Sequence, residues 1–280
     1  SGASAVLGWD QATYMPKGGA AARGRQSATL NRIAHQKATD PALGRLLDKL
    51  APYAETLPPD SDEARLVHVA RRDFEKATKV PEDFVARASA AGSASYNAWT
   101  RARPDNDFAT MRPHLEQALE LSREWAGYFA TYEHIADPHI DSADEGMTTA
   151  SVRTLFDELR RFLVPLVRAI AEQPVADDKA LRGTFPEPAQ LAFGLGIAER
   201  FGYDLARGRL DKTHHPFCTR FAGGDVRITT RVRDDDISDA LFSTLHEAGH
   251  AMYEQGVSPT LDGTPLGSGA SAGVHESQSR

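Results

Sequence analysis

The chain has 280 residues, enough to bury a sizeable core, with 32 Lys and Arg against 39 Asp and Glu for a net charge of −7. Those charges are dispersed and form no basic tract, so nucleic acid is not an indicated partner, and no apolar run approaches the ~20 residues a membrane span needs. The single cysteine, Cys218, excludes an internal disulfide, fits a reducing, cytoplasmic setting and is expected to be a buried bystander.

Helical patterns dominate as far as about residue 210. Ala20 to Ala38 and Asp40 to Leu57 read as helices separated by the capping-type pair Thr39-Asp40. Ser61 to Lys79 carries Leu66, Val69, Ala70 and Phe74 on one face, and Pro81-Glu82-Asp83 opens the next helix with proline and acids in its first turn. Pro104 to Asp107 is a turn, and Met111 to His134 is predicted as helix. Asp137 to Gly146, polar and acidic, reads as a loop. Thr148 to Gln173 is a strongly amphipathic helix bearing Leu155, Leu159, Phe162 and Leu163, followed by the linker-like Pro174 to Asp178. Pro186 to Phe201 and the segment up to Arg209 continue the helical pattern. No internal self-similarity marks a repeat protein.

Only one stretch changes period. From Phe217 to Val232 the chain holds Thr, Phe, Val and Ile around Gly223-Gly224, which predicts a hairpin of Cys218 to Ala222 and Asp225 to Val232. Along the second strand Asp225, Arg227 and Thr229 alternate with Val226, Ile228 and Thr230, so the three polar side chains share one face. That face is either turned to solvent or lines a cleft beside the helix that follows.

The following helix is well delimited. Asp236 or Ser238 offers an N-cap, Asp234 to Asp236 place negative charge at its start, and Gly256 supplies a stop. Leu241, Leu245, Ala248 and Met252 form one apolar face over about five turns. Within it stands His246-Glu247-Ala248-Gly249-His250. Residues four apart lie about 40° apart around a helix, so His246 and His250 can grip one metal ion, with Glu247 beside it. Two neutral imidazoles and one carboxylate leave a tetrahedral Zn²⁺ one open position for water, and a nearby unligated glutamate can take that water's proton. This is the H-E-x-x-H pattern of zinc peptidases. A surface turn with two solvated histidines is the competing reading, and the ordered helix around the motif argues against it. Gly249 costs about 1 kcal/mol against alanine inside a helix, which points to a packing or site reason for it.

The third ligand separates subclasses. A metzincin would need glycine and histidine where Tyr253 and Gly256 stand, so that pattern fails. Glu254 continues the same helix and cannot easily fold back onto the ion. Asp262 lies in the Gly-, Ser-, Pro- and Thr-rich segment from Gly256 to Gly273, where a solvated turn residue is the ordinary expectation. Glu276 comes after that loop, where a second helix could present its carboxylate. His275 is the closest rival, as a nitrogen ligand or as a hydrogen-bond partner of a ligand.

Four blocks occur in order: His215-Pro216-Phe217, Asp225-Val226-Arg227-Ile228-Thr229, His246 to His250, and His275-Glu276-Ser277-Gln278-Ser279-Arg280. Together with Gly8-Trp9-Asp10-Gln11 and Met15 to Ala20, they make the chain resemble the carboxypeptidase Taq family of thermostable metallocarboxypeptidases, a gluzincin group. The resemblance spans nearly the whole chain. It implies His246, His250 and Glu276 as ligands of one Zn²⁺ per chain, with Co²⁺ an alternative, and Glu247 as general base. It favours the cleft-lining reading of the Asp225 to Thr229 strand, and makes His215, Asp225, Arg227, Thr229, His275 and Arg280 candidates for binding substrate or supporting the ligands. Arg227 and Arg280 are the cations suited to a substrate carboxylate.

The implied fold is mainly α, helical over about 1–210, with a hairpin at 217–232, metal-binding helices over 237–280 and a long active-site cleft. The implied partners are peptides with a free C-terminus and a second copy in a homodimer. Family members are considerably longer, so residues 1–280 are expected to be one N-terminal portion of the catalytic domain, able to hold metal but weak or inactive in turnover alone. A metalloendopeptidase or oligopeptidase would use the same ligands and base. A non-catalytic helical scaffold fits less well, because structural zinc sites are closed by four ligands and are commonly cysteine-rich.

Overall fold

A computed structural model describes residues 2–280, and most of its helices begin where a short polar side chain can cap them. The helices are α1 (Gly2–Thr13), α2 (Ala20–Ala38), α3 (Pro41–Ala54), α4 (Asp62–Lys79), α5 (Glu82–Ala102), α6 (Phe108–Gly127), α7 (Asp137–Ala143), α8 (Thr149–Ala171) and α9 (Glu187–Phe201). There follow strands β1 (Leu210–Lys212), β2 (Cys218–Ala222) and β3 (Asp225–Thr230), then helices α10 (Ile237–Gln255) and α11 (Ala272–Gln278). Asp40, Ser61, Asp107, Asp236 and Ser271 each accept a first-turn amide, at α3, α4, α6, α10 and α11. Each such cap contributes about 1 kcal/mol.

The fold is mainly helical with one small sheet, as the sequence implies. Three local expectations are corrected. The acidic stretch Asp137 to Gly146 is not all loop, because α7 forms there with Pro138 in its first turn. Its acids are satisfied locally: Asp137 accepts from His134 N and Thr149 N, and Asp141 from Tyr132 and Gly146 N. Helix does not continue to Arg209, since Gly202 at φ 116° closes α9 in the left-handed region that glycine alone adopts freely. And the hairpin is part of a three-stranded sheet of order β1-β3-β2, with β1 parallel to β3. β1 is only three residues long and carries Asp211 and Lys212, too short a run for alternation to reveal.

Two packing layers result. α2 lies against α5 and α5 against α6, while α3 pairs with α4. α10 packs on α9 and on β3, and α1 joins the layers by contacting both α2 and β2. Beneath α10, Ala198, Tyr203, Val226, Ile228, Ala248 and Ala251 form a buried cluster. The deepest line of α10 is therefore Ala240, Thr244, Ala248 and Ala251 rather than the predicted leucine stripe; Leu241 and Leu245 flank it, half-buried. Small side chains let the helix axis approach the sheet closely. Tyr203 fastens this core, its hydroxyl donating to the buried Val226 carbonyl at 2.8 Å and to Arg209 O at 3.2 Å.

No other named element packs extensively on α8 among the described residues, and Leu155, Phe156, Phe162, Leu166, Val167 and Ile170 stand exposed on it. Among the described residues, no helix is long and apolar enough to cross a membrane.

Candidate metal centre

α10 and α11 bring one histidine pair and one carboxylate together. His246 and His250, one turn apart, set their rings at 88° with centroids 4.8 Å apart. Across from them, Glu276 Oε2 lies 3.9 Å from His246 Nε2 and 3.8 Å from His250 Nε2. One donor atom from each of the three residues falls within 4.8 Å of the others. Those separations are too long for hydrogen bonds, and they are a few tenths of an ångström wider than the ~3.4 Å expected between ligands of a tetrahedral ion at ~2.0–2.2 Å. Two imidazole nitrogens and a carboxylate also match the chemistry of a divalent transition metal. The donor set fits such an ion once the three donor atoms, now spread over as much as 4.8 Å, draw in around it. Glu276 is more than half exposed and His250 almost buried, so the centre is closed on the helix side and open toward solvent.

Gly249 permits this arrangement. A Cβ there would run into the Gln278 carbonyl oxygen and come within 2.7 Å of Ser279 Cα, so only glycine lets the end of α11 rest on α10. The cost expected for glycine inside a helix thus has a packing cause, and it is the packing that positions Glu276.

The electrostatics suit both binding and proton transfer. Burial lowers the His250 pKa, which keeps the ring neutral with a lone pair available. Glu247, 6 % exposed, points away from solvent on the same helix. Burial and then the charge of Glu276 raise its pKa to about 7, while the Cys218 backbone N–H facing it pulls the other way. A carboxyl group poised there can both take and return a proton near neutrality. The Cys218 thiol is pushed up by burial and by the charges of Glu247 and Glu254, which makes it inert as a nucleophile.

The remaining predicted residues divide. His275 is brought to the centre, but both its ring nitrogens are engaged, Nδ1 at 2.6 Å from His250 Nδ1 and Nε2 at 2.9 Å from Glu254 Oε1. The Asp225, Arg227 and Thr229 face of β3 is opposite the row that packs on α10. Arg227 forks onto Asp225 with two 2.8 Å hydrogen bonds and stacks on Trp9 of α1 and on Phe221, 4.5 and 4.6 Å from the ring centroids. Thr229 exchanges hydrogen bonds with the Phe217 backbone. It is the opposite row, Val226, Ile228 and Thr230, that packs beneath α10, Thr230 donating to Ala240 O. His215 is exposed, edge-on to Trp99 at 6.4 Å, and Arg280 follows α11 on the surface.

Sequence reasoning set Glu254 aside as a ligand, yet it is buried at this centre. Its position four residues after His250 places it one turn above that ring, a relation readable from spacing alone.

The whole chain, residues 1–280, matches the family described as Carboxypeptidase Taq (M32) metallopeptidase. It is 39 % identical over 286 residues to the thermostable carboxypeptidase 1 of Thermus thermophilus, an alignment covering 99 % of this chain and 56 % of that protein. It is 35 % identical over 280 residues to carboxypeptidase 1 of Bacillus subtilis, covering 100 % of this chain and 56 % of the relative. Among solved structures, the M32 carboxypeptidase of Deinococcus radiodurans R1 superposes with a TM-score of 0.84 at 51 % identity, covering 100 % of this chain and 56 % of that one. The chain thus spans a little over half the length of the relatives it matches.

Proposed function

This chain belongs to the carboxypeptidase Taq (M32) metallopeptidase family, and from that premise we propose that it is the metal-binding part of a peptidase that removes residues from peptides with a free C-terminus. The observation that carries the reading is the convergence of His246, His250 and Glu276 beside a buried Glu247. In this reading the three hold one divalent ion, Zn²⁺ by the fit of the donor set and Co²⁺ as an alternative of similar preference. Bound there, the ion supplies Lewis-acid polarisation to water and to the scissile carbonyl.

The chain's own residues do the rest. Glu247 accepts the proton of the attacking water and returns it to the departing amine, a two-way role open to a buried carboxylate beside the histidine pair. His250, held neutral, keeps its Nε2 lone pair for the ion. Arg227 is committed to Asp225, Trp9 and Phe221, so recognition of the substrate carboxylate falls to Arg280 or to groups outside these 280 residues. The working assembly in this reading is a homodimer, checked by sedimentation.

Two measurements test the reading. One peptide is offered as free acid and as C-terminal amide to a protein of the relatives' length. Preference for the acid is expected, and equal cleavage of the amide would favour an endopeptidase. Glu247→Gln should lower kcat by roughly 10²- to 10⁴-fold while metal content stays at wild-type level; unchanged turnover would remove Glu247 from the mechanism.

A further inference from the structure

Glu254 has no place in the reaction just described, and its surroundings are unusual for a buried acid. It is 7 % exposed on α10, and no charge-neutralising hydrogen bond reaches its Oε2. Arg220 Nε, likewise buried and without a hydrogen-bond partner, lies 3.6 Å from that oxygen, and Arg220 is fixed at its other end by a 2.7 Å hydrogen bond to Asp262. The remaining oxygen, Oε1, accepts from Gly269 N at 3.2 Å and faces His275 Nε2 at 2.9 Å. A Cβ on Gly269 would press on the His275 ring at 2.5 Å and on the Tyr253 ring at 3.1 Å, so glycine is what lets the loop close over this pair.

The contacts form a chain whose proton positions follow one from another. A carboxylate only accepts, so the hydrogen between Glu254 and His275 sits on His275 Nε2. With its one ring hydrogen on Nε2, His275 offers Nδ1 as an acceptor. The 2.6 Å approach of His275 Nδ1 to His250 Nδ1 needs one hydrogen between them, which therefore belongs to His250. With Nδ1 protonated, His250 presents an unprotonated Nε2 toward Glu276. We propose that Glu254 is a positioning residue for the metal centre: acting through His275, it selects the Nδ1–H tautomer of His250 and fixes the direction of its Nε2. The proposal rests on the assignment of His246, His250 and Glu276 as the ligand set.

Partners of this kind are ordinarily direct hydrogen-bond acceptors of a metal-binding histidine. Here the acceptor is a second histidine and the carboxylate is one step further removed. That places the orienting charge on the ligand helix itself, where α10 geometry keeps it registered with His250.

The test uses long-range ¹H–¹⁵N correlation spectra of protein labelled at histidine, which report the tautomer without metal or substrate, together with Zn²⁺ affinity by chelator competition. Wild type should show His250 as the Nδ1–H form. Glu254→Ala should convert it to a mixture of tautomers and weaken Zn²⁺ binding by roughly 10- to 100-fold at unchanged stoichiometry. Glu254→Gln, which keeps an acceptor at Oε1, should restore most of both. A wild-type His250 in the Nε2–H form, or a Glu254→Ala protein with wild-type tautomer and affinity, would overturn the proposal. Weakened affinity with an unshifted tautomer would also overturn it, since Glu254 would then be merely structural. His246→Ala serves as the separate control: if it bound Zn²⁺ like wild type, the ligand assignment itself would fall, whatever Glu254 does.

Discussion

At the scale of single residues, the environment decides the role. Glu247 and Glu254 stand seven residues apart on α10 and both are buried. Glu247 is raised to about 7 by burial and then by the charge of Glu276; Glu254 faces Arg220, His275 and a backbone amide. The first is poised to move protons and the second to hold a hydrogen bond. Tyr203 gives a stability test of the same kind. Tyr203→Phe leaves the buried Val226 carbonyl without its donor, and should lower the unfolding free energy by about 1–3 kcal/mol in urea titrations. A loss near zero would mean that the carbonyl finds another partner. The histidine pair and Glu247 were legible in the sequence because helical spacing alone places them together. Glu254 was read only as a failed ligand, because its partner His275 arrives through a loop whose path no local pattern specifies.

At the scale of elements, the centre depends on how α11 meets α10. Gly249→Ala gains up to about 1 kcal/mol of helix propensity, but overpacking against the backbone of Gln278 and Ser279 costs about 1–3 kcal/mol. The clash outweighs the gain, and the short α11 is the element that yields. The expected outcome is a markedly weaker metal affinity with unchanged helical circular dichroism. Wild-type affinity in Gly249→Ala would show that α11 does not need this close approach. The sheet carries a second lesson. Alternation along Asp225 to Thr230 correctly separated a polar row from an apolar one, but not which row would face α10. That choice was made by α1, whose Trp9 covers Arg227 from the far side of the sheet, a contact between residues 218 positions apart. β1 was missed for a related reason: three residues become a strand only by pairing with β3.

At the scale of the whole molecule, the chain matches its relatives end to end while spanning 56 % of their length. Within it, the apolar side of α8 has little to pack against, with Phe162 71 % and Ile170 61 % exposed. Contiguous exposed apolar surface of this kind binds hydrophobic dyes. In the 280-residue chain, the double substitution Phe162→Ser and Ile170→Ser should reduce dye binding while shifting stability by no more than about 0.5 kcal/mol per site. Large destabilisation would reveal packing on α8 that the fold does not display. The helical class and the order of the major helices were readable from periodicity and capping, whereas the arrangement of the two layers depends on α1 bridging α2 and β2. The central claim, that α10 and α11 together form a metal centre, is tested most directly by metal stoichiometry. Protein equilibrated with Zn²⁺ and then freed of unbound ion should carry one equivalent per chain by elemental mass spectrometry. His246→Ala, His250→Ala and Glu276→Gln should each lose it with the helical fold intact. No bound ion in the wild type, or one equivalent retained in all three variants, would contradict the account.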